Sequence, residues 1–160
     1  MSSYYVEFLE PDKDLNVALD RLAATVGALY RDCWNNTKRD TYSQPFNMNI
    51  QAFTSMWFSK ALKIFVAYDA VTRVPVGFLA GMVFRPIPYE ANVFQIEEYY
   101  AMGGLEDKVE PLLIDHAAQA MKYLGTDEVW VSRDSKGVAP RLPAGWKLSN
   151  EFTLYRYVKE

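Results

Sequence analysis

Apolar residues recur at two kinds of spacing along the chain, and each spacing predicts one kind of secondary structure. Alternating or continuous apolar runs that are rich in β-branched and aromatic residues predict strands. Spacings of three and four residues predict helices with one buried face. The predicted strands span residues 4–9, 62–68, 74–84, 93–101 and 128–132, and the predicted helices span residues 15–33, 50–59 and 108–124.

The segment 93–132 carries the clearest of these patterns. A strand that ends at Ala101 is followed by a short loop, a helix and a second strand that begins at Glu128. Gly125 ends the helix, because glycine readily adopts the left-handed conformation of a helix C-terminus. A strand–helix–strand unit of this length implies a right-handed crossover between neighbouring parallel strands. Ligands usually bind such units where the first strand ends, so residues 99–108 are predicted to hold the functional site.

The remaining segments predict hairpins and loops around this unit. Residues 62–68 and 74–84 are separated by a turn and are predicted to pair as an antiparallel hairpin. Gly77 and Gly81 lie inside the second of these strands, which predicts a bulge or a close approach of another group. The polar residues 34–49 are predicted to form a loop, and residues 145–148 with 151–159 a closing hairpin.

Three features of the predicted helices each allow a structural and a functional interpretation. Cys33 lies on the apolar face of the first helix and is predicted to be a small core residue rather than a reactive thiol. His116 lies in the apolar stripe of the last helix and is predicted to be partly buried rather than catalytic. The aromatic residues of helix 50–59 fit either core packing or the wall of a binding cleft.

The composition restricts the classes of function. A chain of 160 residues that is 50% hydrophobic predicts a single domain over residues 1–160. A net charge of −3 argues against nucleic acid as the partner. One cysteine and one histidine exclude an intrachain disulfide and a His/Cys metal site. No apolar run of about 18 residues and no signal-peptide pattern is seen, so no membrane association and a cytoplasmic location are expected.

Several short motifs occur in the order and at the spacing of one known family. They are residues 64–68 followed by 75–81, residues 96–101, the series from Leu112 to Gly125, and residues 145–148 followed by 152–156. Together they resemble the GNAT superfamily of acyl-CoA-dependent N-acyltransferases over residues 4–159. The resemblance implies an α/β (α+β) fold with a mixed, twisted sheet of six or seven strands and helices on both faces. The short loop after Ala101 also resembles the small, divergent GNAT-like proteins of tailed phages.

The resemblance also implies a cofactor and the residues that bind it. In that family acetyl-CoA, or another acyl-CoA, lies in an opening between the central strand and the next strand. Backbone groups at the end of the central strand hold the pantetheine and the thioester, and the following loop holds the pyrophosphate. The implied cofactor-binding residues are Tyr99, Tyr100, Ala101, Met102, Gly103, Gly104 and Lys108.

The predicted pyrophosphate loop departs from the family pattern, because no Arg or Gln precedes a Gly-x-Gly there. Glu106, Asp107 and Glu110 crowd the start of the helix, with Lys108 as the opposing charge. Asp107 and Glu110 fit a capping box, in which side chains occupy the N–H groups that a pyrophosphate would use. An anionic cofactor would then meet filled donors and like charge. Other cations that could reach a phosphate are Arg133, Lys136 and Arg141.

The family's chemistry needs a base for the amine and an acid for the leaving thiolate. Glu97 and Glu98 lie on the central strand, are predicted to point to opposite faces, and are the candidates for the base. An edge or pair-forming carboxylate is the more common role for such a residue, and the base is the alternative. Tyr155, with Tyr123 as a further candidate, is the implied acid.

Three functions follow from the sequence. The first is a divergent N-acyltransferase that transfers acetyl from acetyl-CoA to an amine of a small molecule or protein by direct attack. The second is a non-catalytic GNAT-fold protein that has lost cofactor binding and acts in a homodimer or a larger assembly, such as a phage structural component. The aromatic content of 15% would suit such an interface. The third is an acyltransferase that uses a different acyl donor.

Overall fold

A five-stranded sheet forms the centre of the protein. A computed structural model describes residues 3–38, 49–86, 90–133 and 137–147. Within these residues the strand order in the sheet follows the order in the chain. β1 to β4 are antiparallel neighbours, and β5 lies parallel to β4. The strands are β1 (Tyr4–Phe8), β2 (Leu62–Asp69), β3 (Pro75–Phe84), β4 (Val93–Ala101) and β5 (Glu128–Val131).

The helices cover both faces of the sheet. Asp14 starts the first helix, because its carboxylate accepts hydrogen bonds from the N–H groups of Asn16 and Val17. The chain then remains helical to Lys38, beyond the predicted end at Cys33, because a π-helical turn continues it. The predicted loop 34–49 is therefore wrong for its first five residues, and residues 39–48 lie outside the described part. The helical segments are α1 (Leu15–Leu22), a π turn (Ala23–Gly27), α2 (Ala28–Cys33), a second π turn (Trp34–Lys38), α3 (Ile50–Phe58) and α4 (Glu106–Tyr123).

Two cores lie on opposite faces of the sheet. The first packs α1, α2 and α3 against one face, and Cys33 is buried in it as predicted. Trp57 is fully buried there, and its indole Nε1 donates to the Leu9 carbonyl at 2.8 Å. The second core packs α4 against the other face, with Phe94, Leu113 and other residues fully buried. The π turns keep the helical segment 15–38 continuous along the first face.

The predicted α+β fold with helices on both faces is confirmed, but its strand count is not. The described part contains five strands rather than six or seven. Gly145 lies in a turn, Trp146 and Lys147 have no regular secondary structure, and the rest of the predicted closing hairpin lies outside the described residues. His116 is exposed rather than partly buried. No helix among the described residues has the length and the apolar character needed to cross a membrane.

Candidate functional site

β4 and β5 pair along only half of β4. Their register runs from Val93 opposite Glu128 to Ile96 opposite Val131, where β5 ends. β4 continues to Ala101, five residues beyond the end of this pairing. The two strands therefore leave a gap beside the C-terminal half of β4. α4 begins one short loop after this half of the strand.

A β-bulge at Glu97 lies where this gap opens. In β3, Ala80 pairs with Glu98 and Gly81 pairs with Ile96, so Glu97 has no partner. Bulges bend a strand and increase its twist, which directs the end of β4 away from β5. Side chains do not alternate regularly between the two faces of the sheet across a bulge. The expectation that Glu97 and Glu98 point to opposite faces assumed this alternation, and β4 does not have it at this position. Glu98 lies opposite Ala80, a residue of the first core, whereas Ile96 belongs to the second core.

The last residues of β4 differ in the direction of their backbone groups. The N–H of Met102 donates to the Val76 carbonyl in β3 at 2.9 Å. In an antiparallel pair alternate residues direct both backbone groups to the same neighbour. Tyr100 therefore also faces β3 with its backbone, whereas Tyr99 and Ala101 direct theirs into the gap. Of the three predicted thioester-binding residues, Tyr99 and Ala101 offer backbone groups there and Tyr100 does not.

The Tyr100 side chain is held by a residue of the helical segment 15–38. Asn36, in the second π turn, donates from Nδ2 to the Tyr100 hydroxyl at 3.0 Å. Burial raises the pKa of Tyr100 above its ordinary value, and the negative charges of Asp32 and Glu106 raise it further, whereas the Asn36 hydrogen bond lowers it. The hydroxyl therefore stays protonated at neutral pH. π turns are frequent at functional sites, and this one connects the first helical segment to the end of β4.

The loop after β4 presents backbone donors at the start of α4. α4 begins at Glu106, two residues before the predicted start, and no side chain caps it at Leu105. Glu106 instead accepts from the N–H of Gly104 at 2.8 Å. The predicted capping box of Asp107 and Glu110 is wrong, because Asp107 lies within the first turn of the helix. The N–H groups of Glu106 and Asp107 consequently have no side-chain acceptor in the described part of the chain.

Arg141 occupies the position next to these donors. Its Nε lies 2.5 Å from a carboxylate oxygen of Asp107, and one terminal nitrogen lies 3.5 Å from Glu110. Its backbone N–H also donates to Glu110 at 3.1 Å. The hydrogen bond to Asp107 is the main reason that the pKa of Arg141 rises above its ordinary value. The expected excess of negative charge at the helix start is thus partly neutralised by a residue from a distant segment.

The other predicted residues fall into three groups. Met102, Gly103 and Gly104 are exposed in the loop, and Lys108 is exposed on the first turn of α4. Tyr123 is 92% exposed at the opposite end of α4, which argues against a role in the gap. Tyr155 and Lys136 lie outside the described residues. In the described ranges no cluster of three or more acidic, histidine or cysteine side chains could hold a metal ion.

A separate cavity of about 470 Å³ lies at the other end of the sheet. Its walls come from the turn after α3, the end of β3 and the end of α4. Met82 and Met121 contribute apolar surface, and Lys60 and Lys63 contribute positive charge. The residues that line the cavity include none from the bulge or the start of α4, so the cavity is distinct from the gap.

Comparisons with solved structures identify several full-length likenesses. An aminoglycoside acetyltransferase from an uncultured soil metagenomic sample, in complex with sisomicin, is 16% identical, with 97% of each chain covered and a TM-score of 0.63. A ribosomal-protein-alanine N-acetyltransferase from Brucella melitensis biovar Abortus 2308 is 14% identical, with 98% of this chain and 99% of that chain covered and a TM-score of 0.64. AAC(6′)-Iy, in complex with a CoA bisubstrate analog, is 13% identical, with 98% and 99% covered and a TM-score of 0.61. Neither a protein-family model nor a curated protein matches the sequence significantly.

Proposed function

Because the chain has the fold of the GNAT acetyltransferases, we propose that it is an acyl-CoA-dependent N-acyltransferase that transfers an acetyl group to an amine by direct attack. The separation of β4 from β5 beyond Ile96 and Val131 carries this proposal. The backbone groups of Tyr99 and Ala101 lie on the side of β4 that faces away from β3, where an acyl group and its pantetheine arm would bind. The CoA bisubstrate analog bound by a protein of the same fold gives further support.

The residues around the gap fit acetyl-CoA in most respects. The N–H groups of Glu106 and Asp107 at the start of α4 form a donor set that suits a pyrophosphate. The space beside Gly103 and Gly104 is open, since a Cβ at either position would meet no atom within 4 Å. The Glu106 carboxylate on the Gly104 N–H works against the fit, because it fills one donor and repels an anion. When bound, acetyl-CoA supplies the activated acyl group.

The acceptor is an amine of a small molecule or protein. Asp32 and Glu106 lie close enough to Tyr100 to raise its pKa, and Glu98 lies on the same face of β4. These carboxylates would attract an ammonium group to this side of the gap. Glu98 is our candidate for the base that removes a proton from the amine before it attacks. Glu97 stays a second candidate, and Tyr155 stays a prediction for the acid that protonates the thiolate.

Titration calorimetry with acetyl-CoA tests the proposal. We expect micromolar affinity in the purified protein, and release of free CoA thiol when primary amines are supplied. Absence of both heat and a thermal shift at millimolar acetyl-CoA would refute it. That result would favour the non-catalytic assembly protein, a reading that the filled Gly104 donor already supports. Sedimentation analysis of the same sample would then reveal whether the chain self-associates.

A further inference from the structure

Arg141 is held at the start of α4 by two carboxylates that differ in their environment. Glu110 is buried, and only 10% of its side chain is exposed to solvent. The side chain of Asp107 is 89% exposed. Both lie on the first turns of α4, whereas Arg141 is 31 residues further along the chain than Glu110. The two ion pairs therefore differ in how easily they can be broken.

The two carboxylates also hold different parts of Arg141. Glu110 accepts from the backbone N–H and from the guanidinium, so it fixes both the chain and the direction of the side chain. Asp107 accepts only from Nε. Loss of the Asp107 contact would leave the Arg141 backbone in place and its guanidinium beside the N-terminus of α4. Glu110 would still have its partner.

The energetic costs of breaking the two contacts are unequal. An exposed ion pair contributes little to stability, because water and salt screen both charges. A buried carboxylate that loses its partner keeps an uncompensated charge, which is strongly destabilising. An incoming anion would therefore displace Asp107 from Arg141 and would leave Glu110 bound. The planar guanidinium suits this exchange, since it binds phosphate and carboxylate oxygens with the same geometry.

We propose that Arg141 is a phosphate-binding residue of the acyl-CoA site, with Glu110 as its anchor and Asp107 as the partner that a phosphate of the cofactor displaces. The proposal rests on the proposed function and deepens it. The segment 102–108, which joins the loop after β4 to the start of α4, contains one cation, Lys108, and no arginine. Arg141 supplies the missing guanidinium from the segment that follows β5. The exchange moves only a side chain and involves no covalent step.

The two carboxylates should have opposite effects on cofactor affinity. Asp107→Asn removes the competitor of the phosphate and a repulsive charge, so acetyl-CoA should bind a few-fold more tightly. Glu110→Gln loosens the anchor, so acetyl-CoA should bind more weakly. If the network only stabilises the fold, both substitutions should lower the melting temperature and neither should tighten binding. The opposite signs therefore separate a binding role from a structural one.

Calorimetry on the full chain provides the test, with acetyl-CoA and acetyl-pantetheine as the two ligands. Arg141→Gln should weaken acetyl-CoA binding by about tenfold, as expected for the loss of a charge-assisted contact. It should not change binding of acetyl-pantetheine, which carries no phosphate. Arg85→Gln is the matched control and should leave both affinities unchanged, since the exposed Arg85 follows the end of β3 that pairs with Val93, at the opposite end of β4 from the gap. Circular dichroism of each variant establishes that it is folded.

Each outcome decides between the readings. The proposal fails alone if the wild-type protein binds acetyl-CoA and Arg141→Gln binds it equally well, or if Asp107→Asn weakens binding. It fails together with the proposed function if the wild-type protein binds neither ligand. A variant that is too unstable to assay is replaced by Arg141→Lys, which keeps the charge. This variant should retain an intermediate selectivity for acetyl-CoA over acetyl-pantetheine. Full wild-type selectivity would contradict the proposal that the planar guanidinium is required to bind the phosphate.

Discussion

Gly77 is the position where a single methyl group should disturb the gap most directly. It lies in β3 opposite Ala101, the last residue of β4, and beneath α4. A Cβ at Gly77 would come within 2.7 Å of the Tyr100 carbonyl oxygen and 2.8 Å of Val109 Cγ1. The first neighbour is backbone of the sheet, and the second is a fully buried side chain of α4. Neither atom can move without a large energetic cost, so Gly77→Ala must separate α4 from the sheet or distort the end of β4.

The expected loss of stability follows from two opposing effects. Forcing an extra methyl group into a packed core costs about 1–3 kcal/mol. Replacing glycine by alanine also restricts the unfolded chain, which returns about 0.4–1 kcal/mol. The net destabilisation should therefore be at most about 2.6 kcal/mol, with a central value of about 1.3 kcal/mol. For a chain of this size the central value corresponds to a melting temperature lower by about 3–5 °C.

Thermal and urea unfolding followed by circular dichroism measure this difference. Gly103→Ala is the matched control, because a Cβ there meets no atom within 4 Å and the backbone is not in the left-handed region. We expect the control to be as stable as the wild-type protein or slightly more stable. Acetyl-CoA should also bind more weakly to Gly77→Ala, since α4 carries the donors beside the gap. Equal stability of Gly77→Ala and Gly103→Ala would refute the argument.

Four further predictions concern other contacts. Trp57→Phe leaves the buried Leu9 carbonyl without its donor and should cost about 1–3 kcal/mol in urea unfolding, and wild-type stability would contradict this account. Glu106→Arg frees the Gly104 N–H and reverses a charge, so acetyl-CoA should bind more tightly in calorimetry; unchanged affinity would count against the electrostatic argument. Tyr68 and Tyr100 have pKa values raised above 10.0, mainly by burial, so the stability that they contribute is complete below pH 10.0 and is lost as the pH rises through their folded values. Asn36→Ala should raise the pKa of Tyr100 further, which near-ultraviolet titration of tyrosinate would detect as a later transition.

The periodicity of the sequence was sufficient to predict most elements. β4 has the predicted bounds, because a run of β-branched and aromatic residues between turn-forming segments has few alternatives. Gly77 and Gly81 were predicted to mark a bulge or a close approach, and close approaches occur at both, since a Cβ at Gly81 would lie 2.5 Å from the Phe94 ring. The start of α4 differs by two residues, because acidic residues favour the first turn of a helix as well as its cap.

The geometry of the candidate site depends on pairings that periodicity does not encode. The bulge at Glu97 results from the register of β4 against β3, and no local pattern in β4 distinguishes Glu97 from Glu98. The partners of Arg141 are separated from it by more than 30 residues. One signal was present, since Asp107 and Glu110 are three residues apart and lie on the same side of a helix. That spacing predicted a capping box, and the same two carboxylates bind an arginine instead.

The surplus residue in β4 has a consequence for how the chain tolerates change. Since Ile96 and Glu98 already face consecutive residues of β3, removal of Glu97 would restore an unbroken ladder. Every later side chain of the strand would keep the core that it now faces. Such a shortened chain should fold, but its straightened strand would run alongside the segment after β5 and close the space between them. The protein thus specifies its architecture and its opening with different residues, and a one-codon deletion could separate the two.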